Sequence, residues 1–362
     1  MSVISSAPGP QVSRPARALA FASAVVACGL AGGALAITVL GRHHGPMVRL
    51  ELPALPQKTE RRKAENTGAA VKESASAFRP AAEGDGAVLG PVTKPVYAGK
   101  ALLADPALIL NTPQGPLPRI ADDGRTPMQA YAAPAAAGPR KIAIVVRGLG
   151  ISAAATRAAL DSLPPAVTLA FAPYARDVSK WVAEARARGH EVLLEVPMEP
   201  YDFPDSDPGP HTLRGAGGEG ANIERLNWAL TRATGYAGVT NLMGQRFLSN
   251  PDALAPVLTY LSRHGLYFFD DGSATQSVAP LVAGQVGAPL VQSNAAIDTI
   301  QTALEIDHGL SDLEKSARAN GSATGSAFLY PVSLSRIAAW AKDLHARGFV
   351  LVPVSAIVNP KK

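Results

Sequence analysis

Eight polar side chains sit where apolar runs of the sequence end: Arg147, Glu195, Glu199, Asn241, Arg246, Asp270, Asp271 and Asp298. If the runs are strands of one sheet, these groups converge at its C-terminal edge, where α/β folds place their chemistry. An arginine there can hold a carboxylate or a sugar through its planar fork of donors, or pair internally with Glu195 or Asp270 and fill the site. Asp270 and Asp271, directly after an apolar run, suit ligand contact and suit a turn or helix cap equally. Glu199, flanked by prolines, reads as structural, and Tyr174 and Tyr201 could stack on a sugar ring or serve as core.

Metal chemistry is poorly supplied. The single cysteine, Cys28, excludes thiolate clusters and internal disulfides. Of 7 histidines only His43 and His44 are close in sequence, and no spacing of the H-x-x-E-H or H-x3-5-H type occurs. A catalytic zinc needs about three converging protein ligands, so neither a metal nor another cofactor is expected.

The elements that must position these residues follow from periodicity. Ile142–Val146 is a β-branched run that stops near Gly148 and Gly150, as a buried strand does before a turn. Val178, Trp181, Val182 and Ala185 share a helical face, and Glu191–Val196 reads as the next strand. Asn250 and Pro251 open a helix carrying Leu254, Val257, Leu258 and Leu261, with Gly265 as its stop and strand Leu266–Phe269 beyond. A last stripe, Ile337, Trp340, Ala341 and Leu344, precedes Phe349–Val354. With further strands near 167–171, 236–241, 289–292 and 325–329, the pattern predicts seven or eight parallel strands. A distorted (β/α) barrel fits best, with a doubly wound open sheet as the alternative.

The 362 residues hold more than this domain. Only 17% are charged, and 33 Gly with 31 Pro point to much chain outside regular elements. Residues 141–358 hold 17 basic and 20 acidic side chains, so the chain's net positive charge belongs to its flanks. Such a domain has no basic face for nucleic acid. From Ala18 to Gly41 run 24 residues without a charge, between Arg17 and Arg42. As a helix they would reach about 36 Å, enough to span a bilayer, and they exceed the apolar core of a cleaved signal peptide, the rival reading. The basic residues lie slightly more on the N-terminal side, which predicts that the bulk of the chain is outside the cytoplasm. Gly29 and Gly33 give a G-x-x-x-G spacing that also arises readily by chance. Residues 1–17 read as a short tail and 42–140 as a Pro/Gly/Ala-rich spacer. Within the spacer, residues 107–131 have a turn at Asp123-Gly124 between apolar residues and could either dock on the domain as an arm or remain linker.

Five segments together resemble one family. They are Thr168-Leu-Ala-Phe-Ala-Pro-Tyr174, Gly189-His-Glu-Val-Leu-Leu194, Pro197-Met-Glu-Pro200, Asn241-Leu-Met-Gly-Gln-Arg-Phe247 and Leu351-Val-Pro-Val-Ser355. In order over 141–358 they look like the divergent polysaccharide deacetylases, bacterial envelope proteins with a NodB-like distorted barrel. The resemblance implies a domain concerned with carbohydrate, on the periplasmic side of a cytoplasmic-membrane anchor.

The resemblance also implies an Asp pair after the first strand, a His in N-H-M-G and a late G-H-P segment, and this chain departs at each. Arg147 and Gly148 stand at the Asp pair, Leu242 at the first His, Ala327-Phe328 at G-H, and Glu195 replaces another His. Arginine cannot ligate a divalent cation, and Leu and Phe carry no lone pair. The expectation is a non-catalytic domain that binds an envelope polysaccharide or scaffolds an envelope protein. The enzymatic alternative is a carbon–nitrogen hydrolase with Glu195, Asp270 or Asp271 as base and Arg147 as a metal-free electrophile. An arginine beside that base would lower its pKa and weaken it.

Overall fold

A computed structural model describes residues 104–358, so the tail, the 18–41 span and most of the spacer lie outside the described residues. Among the described residues no helix is long and apolar enough to cross a membrane.

The chain first forms an arm, with strands β1 (Ile109–Thr112) and β2 (Gly115–Pro118) as an antiparallel hairpin and helix α1 (Pro127–Ala130) closed by a Thr126/Gln129 capping box. The arm packs on the domain: Leu108 and Tyr131 are buried, and the Met128 N–H donates to the Gly265 carbonyl at 2.9 Å.

Strand and helix then alternate: β3 (Lys141–Leu149), α2 (Ala153–Ser162), β4 (Thr168–Phe171), α3 (Val178–Ala187), β5 (Val192–Met198), α4 (Glu219–Leu230), β6 (Gly238–Met243), α5 (Gln245–Leu248), α6 (Pro251–Arg263), β7 (Tyr267–Asp270), α7 (Ala279–Val286) and β8 (Leu290–Gln292). The series ends with β9 (Ala295–Ala296), α8 (Ala303–Asn320), β10 (Ser322–Phe328), α9 (Pro331–Lys342) and β11 (Val350–Leu351). Local signals set the helix boundaries. Asn250 accepts from the Ala253 N–H with Pro251 in the first turn of α6, while Ser152 and Thr302 cap α2 and α8 in the same way.

All pairs of the main sheet are parallel, in the order β8-β7-β6-β5-β4-β3-β10-β9. From β8 to β3 the neighbours follow chain order without the reversal of a doubly wound sheet. The sheet is curled into a half-barrel whose end strands, β8 and β9, do not pair with each other. Arg147 at the end of β3 touches Asp271 just past β7, four strands away, whereas a flat sheet would part those strands by about 19 Å. Its inner face carries Ala143, Val145, Ala170, Leu193, Tyr267, Phe269 and Val291, and the other face, with Ile144, Leu169, Leu194 and Phe268, packs against helix residues such as Val182, Leu258 and Ile337.

The closing strand is shorter than its apolar run predicts. Only Val350 and Leu351 pair, with Lys141 and Ile142, on the ledge of β3 left free because β4 begins opposite Val145. Pro353 then lacks the N–H that would extend the ladder.

Candidate functional site

Inward-facing residues recur every second position along a strand, so Arg147 follows Ala143 and Val145 on the inner face, Glu195 follows Leu193, and Asp271 follows Phe269. These three polar groups meet at the C-terminal end of the barrel. Arg147 Nη1 lies 2.6 Å from Asp271 Oδ2, with the Asp271 side chain 1% exposed and that of Arg147 14%. The arginine therefore pairs with Asp271, not with Glu195 or Asp270 as the sequence suggests. Asp270 points to the opposite face of its strand, and the same two-residue period would have selected Asp271.

Glu195 is fully buried beside this pair. Its Oε1 accepts the Gly148 N–H at 2.7 Å, while Oε2, Arg147 Nε and the hydroxyl of Thr240, its register neighbour, have no hydrogen-bond partner. Burial pushes the Glu195 carboxyl up to about 7, with Asp271 adding to the rise and Arg147 and the Gly148 N–H opposing it. This corrects the expectation that arginine would leave a weakened base, because desolvation outweighs the ion pair. The carboxyl so tuned nevertheless lies beneath Arg147, out of contact with solvent.

Gly148 accounts for part of the geometry. Its φ of +81° is disfavoured for any residue with a Cβ, and a Cβ there would meet the Phe328 ring at 2.5 Å. Phe328 is the register partner of Arg147. The glycine and the phenylalanine thus fit only each other, and the glycine turns its N–H onto Glu195.

The other candidates divide into anchors and rim. Asn241 Oδ1 accepts the Asp271 N–H at 3.0 Å while its Nδ2 donates to the Met243 carbonyl, which ties the end of β6 to the loop after β7. Met243 itself has φ +58°, unusual for a residue with a side chain, and is exposed at the rim. Asp270 accepts from Ser277 Oγ at 2.6 Å, Gln292 Nε2 at 2.9 Å and the Gly272 N–H at 3.1 Å; Asp298 accepts from Ser333 Oγ and the Phe328 N–H, both at 2.7 Å. Both carboxyls are pushed up by burial, against the pull of these bonds. Their oxygens hold loops and strand ends together.

Glu199 and Arg246 form a separate, open site. Glu199 Oε2 accepts the Gly215 N–H at 2.7 Å, Oε1 lies 3.4 Å from Arg246 Nη1, and the two line a cleft of about 440 Å³ with Asn250. Tyr201 stands nearby in sequence, 52% exposed, its hydroxyl donating to Gln276. Tyr174 does not join this rim and is packed against Trp228.

The positions that the family resemblance assigns to a divalent metal are held here by other groups. A guanidinium stands among the remaining carboxylates, Leu242 and Phe328 offer no donor, and a second cation beside Arg147 would be repelled. Among the described residues no three His, Cys, Asp or Glu side chains group to hold a metal. These residues do not fit a divalent ion.

Residues 144–358 match the family model described as divergent polysaccharide deacetylase. The chain belongs to that family. The uncharacterised protein YibQ of Escherichia coli K12 is 26% identical over 231 residues, which cover 64% of this chain and 70% of that protein. An uncharacterised protein of Haemophilus influenzae is 25% identical over 208 residues, 56% of this chain and 72% of the relative. The crystal structure of an uncharacterised protein from Agrobacterium tumefaciens C58 superposes with a TM-score of 0.66 at 40% identity, covering 67% of this chain and all of that one. This member of the family carries the Arg147–Asp271 pair at the C-terminal end of its sheet.

Proposed function

We propose that this divergent polysaccharide deacetylase is anchored in the cytoplasmic membrane by residues 18–41 and holds a cell-envelope polysaccharide on the periplasmic side without turning it over. The Arg147–Asp271 ion pair carries the reading. Amide hydrolysis needs an electrophile at the carbonyl, an activated water and an acid for the leaving amine. Here the cation beside the buried carboxyls, Arg147, is already neutralised by Asp271, and the carboxyl of suitable acidity, Glu195, is sealed beneath it. What remains open to a large polymer is the cleft lined by Glu199, Arg246, Ser249 and Asn250, in which Arg246 is the exposed group and can donate to sugar hydroxyls.

The test is cosedimentation of the purified protein with cell-wall glycan, together with assay of acetate release. Binding without release is the expected result. Copurification with an envelope protein and indifference to glycan would make the domain a scaffold instead. The pKa of Glu195 near 7 favours a second reading, a metal-free hydrolase with Glu195 as base and Arg147 as electrophile. Acetate release that resists chelator and disappears in Arg147→Ala would establish it, and release abolished by chelator would overturn both readings.

A further inference from the structure

Away from the barrel's end, a pocket of about 600 Å³ runs along α4 where the arm's hairpin turn reaches the domain. Its size is in the usual range for small-molecule sites. One wall is aromatic and already assembled. The His211 ring stacks on Trp228 with centroids 3.8 Å apart and planes 9° from parallel, and Tyr174 lies 4.8 Å from Trp228. Tyr174 Oη accepts the His211 N–H at 3.0 Å, and Gly209 leaves room for it, since a Cβ there would meet the Tyr174 ring at 2.6 Å. Arg232 lies over the Trp228 ring at 5.4 Å and donates to the Pro173 carbonyl at 3.0 Å. A wall fixed from several sides loses little freedom when a ligand arrives.

The polar groups are few and nearly uncharged in sum. Gln114 projects from the hairpin turn, Asn227 accepts from Tyr260 with its Oδ1 and keeps its Nδ2 to donate, and Glu224 and Arg225 offset one another. Burial, then Arg225 and Arg232, lower the His211 pKa, which favours the uncharged ring. Apolar ring surface beside amides, where Glu224 and Arg225 offset one another, suits a neutral sugar whose C–H face is apolar and whose edge carries hydroxyl and amide groups. Gln114 precedes residue 144, so the pocket is built partly outside the region that matches the family.

We infer that this pocket is a second saccharide site, taking a pyranose of the N-acetylhexosamine class against Trp228 and His211. The inference rests on the glycan-binding reading and adds to it a site remote from the barrel's end. Calorimetry of the intact detergent-solubilised protein with the N-acetylglucosamine tetramer tests it. Saturable binding is expected, weakened about tenfold in Trp228→Ala and about fivefold in Gln114→Ala. Far-UV circular dichroism checks the fold, and Gln114→Trp, on an exposed turn, blocks the pocket without touching the core should Trp228→Ala unfold. Undiminished affinity in the folded variants would overturn the inference. Failure to bind the tetramer while whole cell-wall glycan still cosediments would overturn it and leave the proposed function standing; failure of both would remove both.

Discussion

Replacing Glu195 with Gln isolates the energetics of the barrel's centre. The folded chain holds this carboxyl's proton to about pH 7, against an ordinary value of 4.5, chiefly because the carboxylate is buried. Between those values the unfolded chain has released the proton and the folded chain has not, so the folded state binds more protons and stability falls as pH rises. The contribution is fully present below pH 4.5 and lost as pH passes 7. At about 1.4 kcal/mol per pH unit the window amounts to about 3 kcal/mol, with no discount for solvent because the group is fully buried. Glutamine keeps an oxygen for the Gly148 N–H but has no proton to lose. Urea unfolding of both proteins from pH 4 to 8 should therefore show the variant gaining about 3 kcal/mol on the parent across that range. His190, pushed down to about 4 by burial, and the raised Glu191, Asp270 and Asp298 titrate in both proteins and cancel in the difference. Parallel stability curves would refute the account of Glu195 as a buried, protonated acid.

Arg147→Met leaves Asp271 buried without its cation and should cost about 3–5 kcal/mol in thermal unfolding monitored by circular dichroism. Gly148→Ala should cost at least about 2 kcal/mol through the Phe328 contact and the positive φ, and adding Phe328→Ala should recover part of it, a coupling that a double-mutant cycle in urea measures. Tyr267→Phe removes the hydroxyl that donates at 2.8 Å to the buried Glu191, which also accepts the Ser355 N–H, and should cost about 1–3 kcal/mol in the same assay.

The strands and helices were legible where one rule governed them. The continuous apolar runs of β3 and β5 mark strands covered on both faces, and the Asn250-Pro251 and Gly265 signals bracket α6 within a residue. Of the candidate residues the structure brings Arg147, Glu195 and Asp271 together, in a pairing the sequence did not indicate. Proximity to a strand end named Arg147, Glu195, Asp270 and Asp271 alike, whereas the alternation of faces separates Asp271 from Asp270. The acidity of Glu195 depends on how completely the barrel closes over it, and sequence does not carry that quantity. The wall of Tyr174, His211 and Trp228 joins residues more than 50 positions apart through a loop of irregular backbone, where no period operates.

The fit between Gly148 and Phe328 makes the two positions interdependent. Any side chain placed at 148 would be driven into the phenyl ring, and removing the ring alone would leave a void beside Arg147. Each single change is unfavourable while the other residue stays. The pair therefore behaves as one unit, and a viable substitution at either position requires a matching change at the other.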